Sequence, residues 1–251
     1  MAPAPQVGGY GTAGTAPYIY PRFLSAVEEY HPARDAWVTR PDSRSARYYL
    51  SAVGTAQGAV YAVGGYGVAA TGAAATFNES ILATVEKLDP ATGVWTRKTD
   101  LPQAAYGVGL GVFGCTAEDG GRCKLLAVGG YAAGGFTDAA FVFDTKMEEW
   151  TYAAPLPAPR FVPSVLAYAT ADAAYMTGGY ELSLPSAAAR ALHRQASLAT
   201  VFEYSLHADS WVEVPTERSW RPVQARGMYV HCMCMCTAVH CMCTVCAPPT
   251  H

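Results

Sequence analysis

Charged side chains are scarce in this chain of 251 residues, at 15% against 51% hydrophobic residues. Excess charge therefore cannot keep it unfolded, and a charge-laced coiled coil is excluded as well. A basic surplus is also missing: 17 Lys and Arg face 20 Asp and Glu, for a net charge of -3. No overall field holds a phosphate backbone, so nucleic acid is not an expected partner. Residues 1–21 contain no Lys, no Arg and no sustained apolar run, so no secretory or transit signal is visible and a cytoplasmic location is expected. Cysteine is nearly absent from the body, because six of the eight lie between Cys232 and Cys246. The remaining two, Cys115 and Cys123, flank a polar insert that reads as a hairpin loop, and the expectation is a surface thiol pair in an unstapled body.

What is abundant is punctuation. The 24 Gly and 17 Pro are spread along the chain, the pattern of many short strands separated by turns. Self-similarity sharpens this reading. Gly-Gly-Tyr occurs four times, at Gly8-Gly9, Gly64-Gly65, Gly129-Gly130 and Gly178-Gly179, and short apolar runs such as Leu125-Leu126-Ala127-Val128 precede the last three copies. Four tryptophans follow in step. Trp37, Trp95, Trp150 and Trp211 each stand seven residues after a bulky side chain, namely Tyr30, Leu88, Phe143 and Tyr204, with a turn sequence between. Two strands joined by a tight turn are the natural reading of each pair. A Pro-containing loop and a fresh β segment then lead to the next doublet, giving four strands per period.

This combination of glycine doublet, aromatic residue and tryptophan at fixed spacing resembles the kelch repeat, whose copies form the blades of a β-propeller. The resemblance covers about residues 7–227 and implies an all-β propeller with repeats at about 7–41, 44–102, 103–157 and 158–217, plus a partial one at 218–229. Three of these have all four strands. The first begins at its glycine doublet, while Ala225-Arg226-Gly227-Met228 resembles the first strand of a blade, as in Ala46-Arg47-Tyr48-Tyr49. Two readings stay open: the late strand closes a four-bladed ring, or the chain is part of a longer propeller. The second is the expectation, since kelch rings usually resemble assemblies of five to seven blades. The few residues before the first doublet leave no room for a BTB or F-box segment, and none is expected there.

Residues 230–251 form a separate low-complexity tail. Its Cys232, Cys234, Cys236, Cys241, Cys243 and Cys246, with His231 and His240, are soft ligands suited to copper(I) or zinc. The composition also matches a translated simple nucleotide repeat, which is the expectation for the tail, and no cofactor is expected on the body. No convergent set of nucleophile, base and stabiliser is identifiable from spacing, so the expected activity is binding rather than catalysis. A kelch-fold oxidase or sugar-modifying enzyme is the alternative.

In kelch adaptors the loops at one end of the propeller form the binding rim, often with arginines that engage acidic motifs. By that resemblance Arg47, Arg160, Arg190, Arg194 and Arg226 are candidates for meeting an acidic protein or peptide. Tyr66, Tyr131 and Tyr180, which follow the doublets, would add aromatic contacts. No membrane partner is expected, because the uncharged tail lacks Leu, Ile and Phe.

Overall fold

In the computed structural model, residues 4–13, 20–68, 79–115, 122–167, 173–182 and 195–215 are described, and every regular element among them is a β-strand. Strands β1 (Ala4–Ala13), β2 (Tyr20–His31) and β3 (Ala36–Arg40) form a three-stranded sheet in that order. The next segment holds β4 (Ala46–Tyr48), β5 (Ser51–Gly54), β6 (Val60–Val63), β7 (Tyr66–Val68), β8 (Ser80–Ile81), β9 (Val85–Leu88) and β10 (Trp95–Lys98). Of these, β5-β6-β9-β10 make a four-stranded meander, and β4-β7-β8 a small sheet beside it. The pattern recurs in β11 (Gly109–Phe113), β12 (Lys124–Val128), β15 (Ala140–Asp144) and β16 (Glu149–Ala153), with the hairpin β13 (Tyr131–Ala132) and β14 (Gly135–Phe136) inserted. It recurs again in β17 (Ser164–Ala167), β18 (Ala173–Thr177), β21 (Val201–Ser205) and β22 (Ser210–Val214), with β19 (Tyr180–Leu182) and β20 (Gln195–Ser197) inserted. Among the described residues these four sheets are blades of an all-β propeller fold.

The constant seven-residue spacing becomes a constant register. Tyr30, Leu88, Phe143 and Tyr204 lie directly across their hairpins from Trp37, Trp95, Trp150 and Trp211. Each hairpin turns through a left-handed residue two positions before its tryptophan: Asp35 (φ 48°), Gly93 (φ 68°), Glu148 (φ 58°) and Asp209 (φ 44°). Where the opposed residue is tyrosine, its hydroxyl donates to that turn aspartate, Tyr30 to Asp35 at 2.7 Å and Tyr204 to Asp209 at 2.8 Å.

The indoles also join neighbouring blades. Trp95 Nε1 donates to the Pro41 carbonyl (2.9 Å), Trp150 Nε1 to Thr99 (3.0 Å) and Trp211 Nε1 to Ala154 (2.8 Å), each acceptor lying at the end of the preceding blade. Trp95 is 4% exposed and Trp37, in the first blade, 49% exposed.

The glycine doublets make the reciprocal link. Gly64 and Gly65 have φ of 63° and 107°, and the Gly65 N–H donates to Ala105 O of the next blade at 3.0 Å. A Cβ on Gly64 would lie 2.4 Å from that same oxygen, so no side chain fits. Gly129 and Gly130 repeat this contact against Arg160 O.

Between blades the apolar faces form separate cores. Val60, Ala62 and Leu88 meet Val7 and Val27 of the first blade. Tyr61, Val63 and Val85 point the other way, toward Leu110, Leu125 and Phe143, and Leu126 and Val128 in turn pack on Met176 and Tyr204. Alternation along each central strand therefore serves two interfaces at once, which is why these strands are continuous apolar runs.

Two expectations need correction. Residues 46–48 do not begin the first strand of their blade; they pair with 66–68 in the small sheet, and the blade strand starts at Ser51, beyond a left-handed Tyr49. The two body cysteines are not surface thiols. Cys115 and Cys123 are buried and joined by a disulfide, because the last β11–β12 pair, Phe113 and Lys124, brings the residues just beyond it together. Among the described residues no helix is long and apolar enough to cross a membrane. The short helix that the helical propensity of residues 187–192 suggests lies outside the described residues.

Two outcomes follow for equilibrium denaturation in urea. Trp95→Phe removes a buried donor and leaves the Pro41 carbonyl unmatched, for a loss of about 1–3 kcal/mol, whereas Trp37→Phe stays within about 0.5 kcal/mol of wild type. Reducing the disulfide, which closes a loop of sequence separation 8, lowers stability by about 2–3 kcal/mol; an unchanged urea midpoint on reduction would refute this.

Candidate aromatic binding face

Arg47 and Arg160, expected at the rim, are instead internal. Arg47 has no exposed surface: its Nη1 donates to the carbonyls of Gly64 and Thr84, both at 2.9 Å, and its Nη2 to Ala62 O (3.4 Å) and Glu86 Oε2 (3.2 Å). Glu86 also accepts from Ser45 Oγ at 2.7 Å and from the Arg44 N–H at 3.2 Å. Burial pulls the Arg47 pKa below its ordinary value and the Glu86 charge opposes that shift. Arg160 is likewise buried; its Nη1 donates to Gly178 O at 3.1 Å and its guanidinium lies 4.9 Å from the centre of the Phe202 ring. Each arginine thus grips the carbonyl of the first glycine in its own blade's doublet.

The register explains why this slot varies. Glu86, Phe141 and Phe202 all stand nine residues before their tryptophans. Arg47 therefore meets a carboxylate and Arg160 a ring, while the middle blade has Ala105 at the arginine position and packs it in one core with Phe141. Arg190, Arg194 and Arg226 lie outside the described residues, as do Cys232, Cys234, Cys236, Cys241, Cys243, Cys246, His231 and His240. Among the described residues no group of three or more His, Cys, Asp or Glu side chains could hold a metal ion.

What the fold does assemble is aromatic. Immediately after the arginine slot come Tyr48, Tyr106 and Phe161, and immediately after the doublets come Tyr66, Tyr131 and Tyr180. The backbone pairs them blade by blade: Tyr48 with Tyr66 in the small sheet, then Tyr106 with Tyr131 and Phe161 with Tyr180 as single bridges. Their rings then touch across blades. Tyr48 lies 5.7 Å from Tyr66, Tyr66 5.9 Å from Tyr106, and Tyr106 5.2 Å from Tyr131 and 5.4 Å from Phe161. Tyr10 and Phe23 extend the surface from the first blade, and Phe136 extends it by stacking on Phe161. Tyr66, Tyr131 and Tyr180 are half-buried. Burial raises the hydroxyl pKa values of Tyr48 and Tyr106, so both are neutral donors at physiological pH.

Tyr49 occupies a distinct place in this surface. It has φ 50°, and the equivalent positions of the next two blades, Gly107 (φ 63°) and Val162 (φ 52°), share the left-handed conformation. The three are linked across blades, Gly107 N–H to Tyr49 O and Val162 N–H to Gly107 O, both at 2.8 Å. A tyrosine held in the conformation that glycine adopts next door costs about 1 kcal/mol or more. The residue is 51% exposed while its ring touches Tyr48, Tyr106 and Phe161.

Comparison with known proteins fixes the repeat. The kelch motif model matches residues 47–102 and 121–157. These two stretches carry kelch motifs. It is 31% identical over 109 residues to the human (Homo sapiens) Kelch repeat and BTB domain-containing protein 13, an alignment covering 41% of this chain and 21% of that protein. The matched stretch thus spans about a fifth of the length of this curated relative. The solved structure of YjhT superposes with a TM-score of 0.61 at 16% identity, covering 84% of this chain and 67% of that one, which shows a shared fold.

Sequence reasoning found the tyrosines that follow the doublets but not Tyr48, Tyr49, Tyr106 or Phe161. The available signal was an aromatic residue immediately after the arginine slot in three successive repeats. The internal roles of Arg47 and Glu86 are open to test. Glu86→Ala leaves a buried guanidinium without its carboxylate, and urea denaturation is expected to show a loss of about 3–5 kcal/mol. Arg160→Met, which keeps bulk and gives up one hydrogen bond and the ring contact, is expected to cost about 1–2 kcal/mol. Wild-type stability in Glu86→Ala would mean that Arg47 is not held by this pair.

Proposed function

We propose that this chain is a non-catalytic binding module that engages a protein or peptide partner through the aromatic face at the doublet end of its blades. The observation that carries the reading is Tyr49, a bulky ring kept half in solvent by a backbone conformation that its neighbour achieves with glycine. Strained, exposed side chains on a rigid scaffold are characteristic of ligand contacts. Rigid aromatic rings supply large contact areas at small entropic cost, and tyrosine hydroxyls add directional hydrogen bonds at the same surface. The human relative's name joins kelch repeats to a BTB domain. In this reading recognition rests on the tyrosines, with Arg47 and Arg160 holding the blades beneath them.

Selection from a random peptide library displayed on phage, using the whole chain as bait, tests the proposal. Selected peptides should bind the wild type and lose at least about tenfold in affinity to a Tyr66→Ala/Tyr106→Ala double variant that remains folded by circular dichroism. Selected peptides that bind this variant as tightly as wild type would remove the aromatic face from the function.

A further inference from the structure

Independently of the aromatic face, we infer that the first blade takes one strand from another polypeptide, an extended segment that carries an arginine to Glu28 and pairs along the free edge of β1. The first blade is one strand short. In the other three blades the strand leading to the glycine doublet is paired on both sides, β6 between β5 and β9, β12 between β11 and β15, and β18 between β17 and β21. By contrast β1 has β2 on one side and no described strand on the other. The N–H and C=O groups along such an edge bind an extended chain by adding it to the sheet.

The edge adjoins a set of groups that, in the second blade, surrounds Arg47. Glu28 stands nine residues before Trp37 and opposite Gln6, as Glu86 stands nine before Trp95 and opposite Ala62. The carbonyls that Arg47 engages, those of Ala62, Gly64 and Thr84, have Gln6, Gly8 and Ala26 as their counterparts. Among the described residues no side chain donates to Glu28, which is exposed where Glu86 is buried. The slot residue precedes the doublet by 17, 24 and 18 residues in the other blades, and Gly8 has seven residues before it in this chain. Tyr10 gives a second sign of the same gap. Tyr66, Tyr131 and Tyr180 are each bridged to the aromatic residue after the slot, whereas Tyr10 has no such bridge and is 49% exposed.

Register specifies the strand. In the other three blades the residue four after the slot, Ser51, Gly109 or Ser164, pairs with the residue just before the doublet, Val63, Val128 or Thr177. The residue after the slot is aromatic each time. The one four after it is small because this strand presses on the next blade, so that a Cβ on Gly109 would lie 2.8 Å from a Val165 methyl carbon. The occupant is therefore an arginine, an aromatic residue, two further residues, and then serine or glycine opening a strand that pairs with Val7. This chain's own Arg226 is followed by Gly227 and, four residues on, by Val230. It meets neither requirement, which favours a separate polypeptide.

The test is isothermal titration of the whole chain with a nine-residue peptide of the sequence Ala46–Gly54. The peptide should bind saturably at one site. Norleucine in place of its arginine, or Glu28→Gln in the protein, should weaken binding at least tenfold. Because Glu28 is exposed, its replacement should leave the melting temperature unchanged. Glu28→Arg should bind a peptide with glutamate at the arginine position and reject the original, a reversal that requires the two groups to meet. Tyr10→Ala should weaken binding several-fold. A wild-type chain that binds no peptide, as when a segment of the same chain holds the edge, overturns the inference, and so does binding indifferent to Glu28→Gln.

Discussion

Each inter-blade tryptophan of this chain belongs to two blades at once. Its ring is fixed by register against a partner on its own hairpin, and its N–H reaches back to a carbonyl that ends the blade before. At the opposite end of the same blades, a glycine doublet pushes its backbone against the next blade so closely that a β-carbon would collide with a carbonyl oxygen. One contact looks backward along the chain and the other forward. Between them they fix both the distance and the tilt of neighbouring sheets, so that the apolar strands inside need only be the right size.

That arrangement explains the tolerance of the slot beneath each doublet. Arginine with glutamate, alanine with phenylalanine, and arginine with phenylalanine fill equivalent places in three successive blades. A buried ion pair and an apolar packing pair of similar volume are close in net stability, since the desolvation of two charges offsets most of their attraction. The third blade joins the arginine of one solution to the ring of the other, Arg160 being held by the Gly178 carbonyl and the Phe202 ring, so the residue nine before the tryptophan and the residue in the arginine slot have to be read together.

The scaffold was legible in the sequence because its determinants are local and repeated. Gly-Gly and the seven-residue step to tryptophan depend on backbone conformation and hairpin register, which neighbouring residues dictate. Arg47 and Arg160 were misread because exposure is a property of the assembled blade: Arg47 sits beside tyrosines in sequence, and nothing nearby announces Glu86, 39 residues away. The disulfide escaped for the opposite reason. Cys115 and Cys123 lie close in sequence, yet only the exact end of the β11–β12 pairing decides whether the two sulfurs meet or diverge. The aromatic face was half visible, since the tyrosines after the doublets stood out as a repeated motif while the rings after the arginine slot gained meaning only once the blades brought them together.

The contrast between Trp37 and its three counterparts gives the chain an internal optical gauge. Three indoles sit in or against apolar cores with their N–H groups bound to carbonyls, whereas Trp37 is half in solvent. Its emission lies to the red of theirs and is open to collisional quenchers that do not reach Trp95. Once Trp220, outside the described residues, is replaced by phenylalanine, whatever covers the outer side of the first blade would therefore report itself as a blue shift and a loss of quenching from Trp37, with no label added.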